Sequence, residues 1–146
     1  MRFLSNKEIK AMKDVLKKYG INEKRLILYE FDKFEIILSP DKKPLLIKYD
    51  NVFVPTLFVN ANLPKVIIDL PAVKFIANGA DVMRPGIKSM DEFLKNDVVA
   101  IIDEKYGKRI AIGIALYDSE EIKSMEKGKV IKNVHYVGDK IYKLKL

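Results

Sequence analysis

Catalysis needs side chains that exchange protons, hold metals or carry phosphate, and this sequence offers few in a productive pattern. His135 is the only histidine, and it stands beside Tyr136 in the apolar run "NVHYV". That setting predicts a structural histidine rather than a general base. Serines occur at positions 5, 39, 89, 119 and 124, so a Ser-His-Asp set stays open. None of them sits in a nucleophile-elbow context. There is no cysteine, which excludes disulfides and thiolate metal sites and fits a reducing compartment. No HExxH, EF-hand loop or Cys/His spacing occurs, and neither a P-loop nor a GxGxxG is present. The chain does not read as an enzyme, and no metal or cofactor is expected.

The stretch with binding chemistry is "KFIANGADVMRPGIKSM", Lys74 to Met90. A helix-like run stops at Asn78-Gly79, a strand-like run follows, and Pro85-Gly86 ends it. Gly79 and Ala80 lack bulky side chains, so a ligand could approach the backbone closely. Arg84 and Lys74 are suited to phosphate contacts. The plainer roles are equally open at this stage. Gly79 caps a helix in any case, Met83 serves as core or contact, and Asp81 is either a backbone cap or an acceptor for a base edge. Tyr136 serves as core or, if exposed, as a stacking platform.

Lys and Arg total 27 against 20 Asp and Glu, a net charge of +7, which suits polyanionic partners such as RNA. From Lys123 to Lys145 there are seven lysines and two acids, Glu126 and Asp139. With 49% hydrophobic residues in 146, a core can be buried in one domain or two small ones. No apolar run approaches the roughly 20 residues of a membrane helix, and Lys7 interrupts any leader-like h-region. A cytoplasmic protein is expected.

The elements that must position these residues are legible in outline. "SNKEIKAMKDVLKKYG" predicts one helix, opened by a Ser5/Glu8 capping box and closed at Gly20. Ile9, Met12, Val15, Leu16 and Tyr19 share one face, and Lys7, Lys10, Lys13 and Lys17 the other. Three strands follow, two around Asp32-Lys33 and one in "PLLIKYD". "NVFVPTLFVNANLP" reads as irregular or edge structure because of its prolines. The boundary is placed so that residues 1–64 form a first domain and 65–146 a second. In the second, "KVIID" is a strand and "LPAVKFIANG" a helix with Pro71 in its first turn and Gly79 after its end. "ADVMRPG" is a short strand and turn, and "MDEFLKN" a helical turn or loop. "DVVAIIDE" and "RIAIGIALYD" form a hairpin. "DSEEIKSMEKG" is a helix with an Asp118/Glu121 capping box, and "KVIKNVHYV" with "KIYKLKL" makes a closing hairpin over Gly138-Asp139. Short strands at regular spacing with two small helices predict a compact mixed barrel.

From Lys65 onward the sequence resembles the PUA domain. The pattern is a strand ending in Asp69, a small helix containing Ala72, then Gly79-Ala80, a strand, and Pro85-Gly86, with "DVVAII" and "AIGIAL" as central strands. One departure is Pro71 where the family usually has Gly-Ala at the helix start; it suits a first helical turn but removes an N–H there. Together with "FVPTLFVNANLPKVIIDLPAVKF" and "GKVIKNVHYVGDKIYKL", the whole resembles the malignant T-cell-amplified sequence family and its archaeal relatives. That resemblance implies an α+β fold: a small pre-PUA α/β domain, then a PUA pseudo-barrel of mostly antiparallel strands with two short helices. It also implies an RNA-facing surface of Lys74, Asn78, Gly79, Ala80, Asp81, Val82, Met83, Arg84 and Pro85, bordered by Tyr136.

Three functions are expected from it. The first is non-catalytic recognition of tRNA or small-subunit rRNA in translation, with the small ribosomal subunit as a partner. The second is a protein–protein adaptor docking another translation factor, which would show as an exposed patch at Phe53, Leu57 and Phe58; burial of these three is the expectation. The third is the RNA-targeting module of an RNA-modification system.

Overall fold

In a computed structural model describing residues 1–146 in full, Ser5 opens the first helix as its spacing predicts. Its hydroxyl accepts from Glu8 N, and the Glu8 carboxylate accepts from Ser5 N. The helix is not continuous, however. It forms as α1 (Asn6–Ala11) and α2 (Lys13–Lys18), after a short strand β1 (Arg2–Phe3). At the break Met12 N donates to Ile9 O, three residues back, a tightened turn that leaves Met12 and Leu16 each only 7% exposed. Gly20 ends α2 at φ +70°, with Gly20 N bonded to Lys17 O and Ile21 N to Leu16 O. That bond pair is the Schellman cap expected of a left-handed glycine.

Strands β2 (Ile27–Phe31), β3 (Phe34–Leu38), β4 (Pro44–Tyr49) and β5 (Val52–Pro55) complete an antiparallel sheet in the order β1-β2-β3-β4-β5. The sequence suggests three of these five strands. β1 is too short for any periodicity. β5 is the edge strand where Pro55 is tolerated, and it pairs with β4 through a two-residue loop whose Asp50 and Asn51 are both left-handed. Two left-handed residues match the twist of a tight hairpin, so "DN" was the signal for it.

The chain divides into two compact units, Met1–Asn62 with Leu144–Leu146, and Leu63–Lys143. The second contains β6 (Lys65–Ile68), α3 (Leu70–Ile76), β7 (Val82–Met83), a 3-10 turn at Arg84–Gly86, β8 (Ile87–Met90), β9 (Val98–Asp103), β10 (Arg109–Ala115), α4 (Ser119–Ser124) and β11 (Lys129–Tyr136). Its sheet runs β7-β11-β10-β9-β6-β8, antiparallel except for β6 beside β9. The two edge strands, β7 and β8, are joined by only three residues, so the sheet must curl until its edges nearly meet. This is the mixed α+β pseudo-barrel that the strand spacing predicts. Val66, Ile68, Val82, Val99, Ile101, Ile122 and Ile131 are wholly buried within it.

Two expectations need correcting, and one strand lies outside the elements that the sequence suggests. "KIYKLKL" alternates like a strand but forms none: Asp139 gathers the chain into a turn, Lys143 N reaches Asp139 O, and Ile141 is buried at 3%. Residues 87–90 are a strand because β6 needs an antiparallel partner on its free edge. Asp118 does precede α4, but its carboxylate accepts from Lys95 N at 2.7 Å instead of forming a capping box. No helix is long and apolar enough to cross a membrane.

Candidate nucleic-acid interface

Asp69 organises the start of the region. Its carboxylate accepts from Ala72 N at 2.9 Å and caps α3, while Pro71 occupies a first-turn position where no N–H is needed. Asp69 N donates to Gly86 O, which ties the helix start to the 3-10 turn. The two approach so closely that a Cβ on Gly86 would lie 2.9 Å from Ala72 Cβ. Small residues at 72 and 86 are therefore a packing requirement, and they account physically for the Asp-Ala-Pro-Gly pattern in the sequence.

The end of α3 is equally defined. Gly79 is at φ +92°, with Gly79 N on Ile76 O and Ala80 N on Phe75 O, again a Schellman cap. Asn133 of β11 holds this corner from inside, its side-chain amide donating to Ile76 O and Ala80 O. The space beside Gly79 Cα is filled by the Tyr136 ring, whose nearest atom lies 3.2 Å from where a Cβ would stand. Tyr136 is half-buried against the core, and its ring packs beside Gly79.

Asp81 acts as a backbone cap. Its Oδ1 accepts from Asn133 N at 2.8 Å, and Lys129 Nζ lies 3.0 Å from Oδ2, with Lys132 Nζ at 3.7 Å from Oδ1. Burial pushes this carboxyl upward, but the Asn133 N–H and the two lysines outweigh it, and the group is held below its ordinary range.

Between α3 and the β7–turn segment lies a groove of about 600 Å³. Ala72, Ile76 and Ala80 line it together with Pro71, Pro85 and Met83, while two carboxylates, Asp69 and Asp81, and one cation, Lys129, contribute charge. Phe75 is 65% exposed and Met83 49%. A cluster of water-facing apolar groups beside a lysine is the kind of surface that marks a binding site.

Of the ten residues the sequence nominates, Ala80, Asp81, Met83 and Pro85 line this groove. Val82 is wholly buried. Lys74 is exposed on α3, and Asn78 folds back to bond Lys74 O. Gly79 and Tyr136 pack on each other, and Arg84 lines a separate hollow. Phe75, Pro71 and Lys129 were not nominated. Phe75 carried a signal, since in "AVKFI" it falls off the stripe made by Ala72, Val73 and Ile76. His135 is fully buried, its Nδ1 2.8 Å from Asp139 Oδ2, which fits the structural role expected of it. No cluster of His, Cys, Asp and Glu with metal-binding arrangement occurs.

The PUA domain family matches residues 64–137. An uncharacterised protein of Methanocaldococcus jannaschii is 44% identical, over 98% of this chain and 95% of its own length. Translation machinery-associated protein 20 of Schizosaccharomyces pombe is 33% identical, over 83% of this chain and 67% of its own. Malignant T-cell-amplified sequence 1 of Rattus norvegicus is 31% identical, over 64% of this chain and 56% of its own. Among solved structures, a hypothetical protein from the hyperthermophilic archaeon Pyrococcus horikoshii superposes with a TM-score of 0.79 at 34% identity, covering 97% and 96% of the two chains.

Proposed function

Since the chain belongs to the PUA-domain family, we propose that it is a non-catalytic RNA-binding protein of the cytoplasmic translation apparatus that takes tRNA or small-subunit rRNA. The observation that carries this reading is the apolar groove with Phe75 and Met83 at its mouth and Lys129 beside them. An unpaired base would enter the groove and stack on Phe75, a contact worth about 1–3 kcal/mol per base. Phosphates flanking that base would meet the exposed Lys74, and Lys129 only in competition with its partner Asp81. Paired bases cannot offer a free face to such a groove, so the reading favours single-stranded ends, loops and junctions.

The translation setting is supported by the relative named translation machinery-associated protein 20. The adaptor reading needs an exposed apolar patch at Phe53, Leu57 and Phe58. Phe53 and Leu57 are half-buried, and Phe58 alone is exposed, at 36%, with Lys43 Nζ over its ring. That is a small patch, and the RNA reading is preferred.

The test is ultraviolet crosslinking of the tagged chain in cells, followed by sequencing of the bound RNA. Enrichment of tRNA or small-subunit rRNA is the expected result. Recovery of no RNA above an untagged control would reject the reading.

A further inference from the structure

The 3-10 turn at Arg84–Gly86 sends its neighbours to two sides. Met83, Pro85 and Gly86 line the apolar groove, whereas Arg84, Ile87 and Lys88 face a separate hollow of about 300 Å³ that Ser89, Met90 and Lys123 complete. Arg84 is fixed there from two directions. Its backbone N–H donates to Gly128 O, and its side-chain Nε donates to Ile122 O at 2.7 Å. With Nε spent, the fork of two Nη groups has no protein acceptor and is oriented by the anchor. Lys88 is exposed and lies in no ion pair, and Ser89 presents an exposed side chain. Lys123 is held by Glu120 at 2.8 Å and also feels Glu92, so it adds the least. No carboxylate lines the hollow.

We propose that this hollow is a backbone-phosphate site, with the Arg84 fork and Lys88 as its cations and the Ser89 hydroxyl as a neutral donor. The proposal rests on the RNA reading above and adds to it a second subsite of different chemistry. A planar fork pre-set by one hydrogen bond loses little freedom on gripping phosphate oxygens. The turn between groove and hollow rises roughly 6 Å over its three residues. A strand leaving a base in the groove therefore reaches the hollow with a neighbouring phosphate.

The two subsites predict different salt behaviour, which makes them separable. The probe is total tRNA, titrated against the full chain over a range of salt concentrations. Removing one phosphate contact lowers the slope of log K against log salt by roughly 0.7–0.9, whereas losing a stacking contact leaves the slope alone. Lys88→Ala should therefore weaken binding by about three- to tenfold at low salt and reduce the slope by nearly one. Ser89→Glu places a carboxylate among the cations and should weaken binding at least as much, by about tenfold. Phe75→Ala should weaken binding at unchanged slope. Arg84→Ala is the less clean variant, because it also removes the Ile122 anchor. Wild-type affinity and slope in both Lys88→Ala and Ser89→Glu, beside weakened Phe75→Ala, would overturn the phosphate site and leave the RNA reading standing. Absence of any binding by the wild-type chain, to total tRNA and to small-subunit rRNA titrated in the same way, would overturn both.

Discussion

Asp139→Ala is expected to destabilise the second unit by about 3–5 kcal/mol, because buried donors left unpaired cost about 1–3 kcal/mol each. Three donors converge on this one carboxylate. Oδ2 accepts from His135 Nδ1 and Tyr136 N, and Oδ1 accepts from Tyr142 N. A carboxylate only accepts, so His135 must carry its proton on Nδ1. The Asp139 side chain is 11% exposed and His135 is fully buried, so water cannot readily replace the lost partner. Asp139→Asn keeps the shape but turns an NH2 group toward converging donors, and it should recover only part of the loss. Chemical denaturation at neutral pH measures both; a cost below about 1 kcal/mol for the alanine variant would mean the network is dispensable.

The same carboxylate carries a pH dependence. Burial pushes the Asp139 carboxyl up, but the bonds from His135, Tyr142 and Tyr136 outweigh it and hold the group below its ordinary range. The unfolded chain, with its Asp near the usual value of about 3.9, then binds more protons than the folded one in acid. The stabilisation is fully present above about pH 5 and is lost as pH falls below 4 toward the folded value. Asp139→Ala should show a shallower acid limb. It should not be flat, because Asp81 and Asp103 are lowered in the same sense.

The second large effect is expected at Gly113→Ala. A Cβ there would lie 2.6 Å from Lys132 O, 2.7 Å from Ile131 Cγ2 and 3.3 Å from Ile101 Cδ1. The nearest atom is backbone in the paired strand β11, so relief requires the β10–β11 ladder to open. The register between these strands already shifts between Ile112 and Gly113, as expected where a strand glycine marks close backbone approach. Overpacking typically costs about 1–3 kcal/mol, and contact with backbone places this site at the upper end. An unfolding transition lowered by several degrees is the expected observation, and an unchanged midpoint would show that the strands give way without penalty.

How much of this was readable beforehand follows from the kind of signal each feature leaves. Ser5, Gly20 and Gly79 were legible because a cap or a left-handed residue is decided by chemistry within a few positions. The PUA pattern was legible because Asp69, Ala72 and Gly86 meet in one tight contact that constrains all three. "KIYKLKL" has a strand's alternation, while what folds it is one acid, Asp139, in the turn immediately before it. The helix break at Met12 left no trace, since periodicity barely changes when one bond shortens from four residues to three. Phe75 was passed over because a seven-residue helix does not reveal how much of its circumference the barrel covers. Arg84 was placed with its neighbours, and only the 3-10 geometry of the turn sends it to the other side.

If the groove beside α3 holds RNA by its apolar residues, total tRNA titrated against the wild-type chain and a Phe75→Ala/Met83→Ala double variant must distinguish the two. Both side chains are largely exposed, so the variant should keep the wild-type unfolding midpoint. Loss of stacking and apolar contact amounting to about 2–4 kcal/mol predicts affinity reduced on the order of 100-fold at fixed salt. Wild-type affinity in a folded double variant would contradict the account.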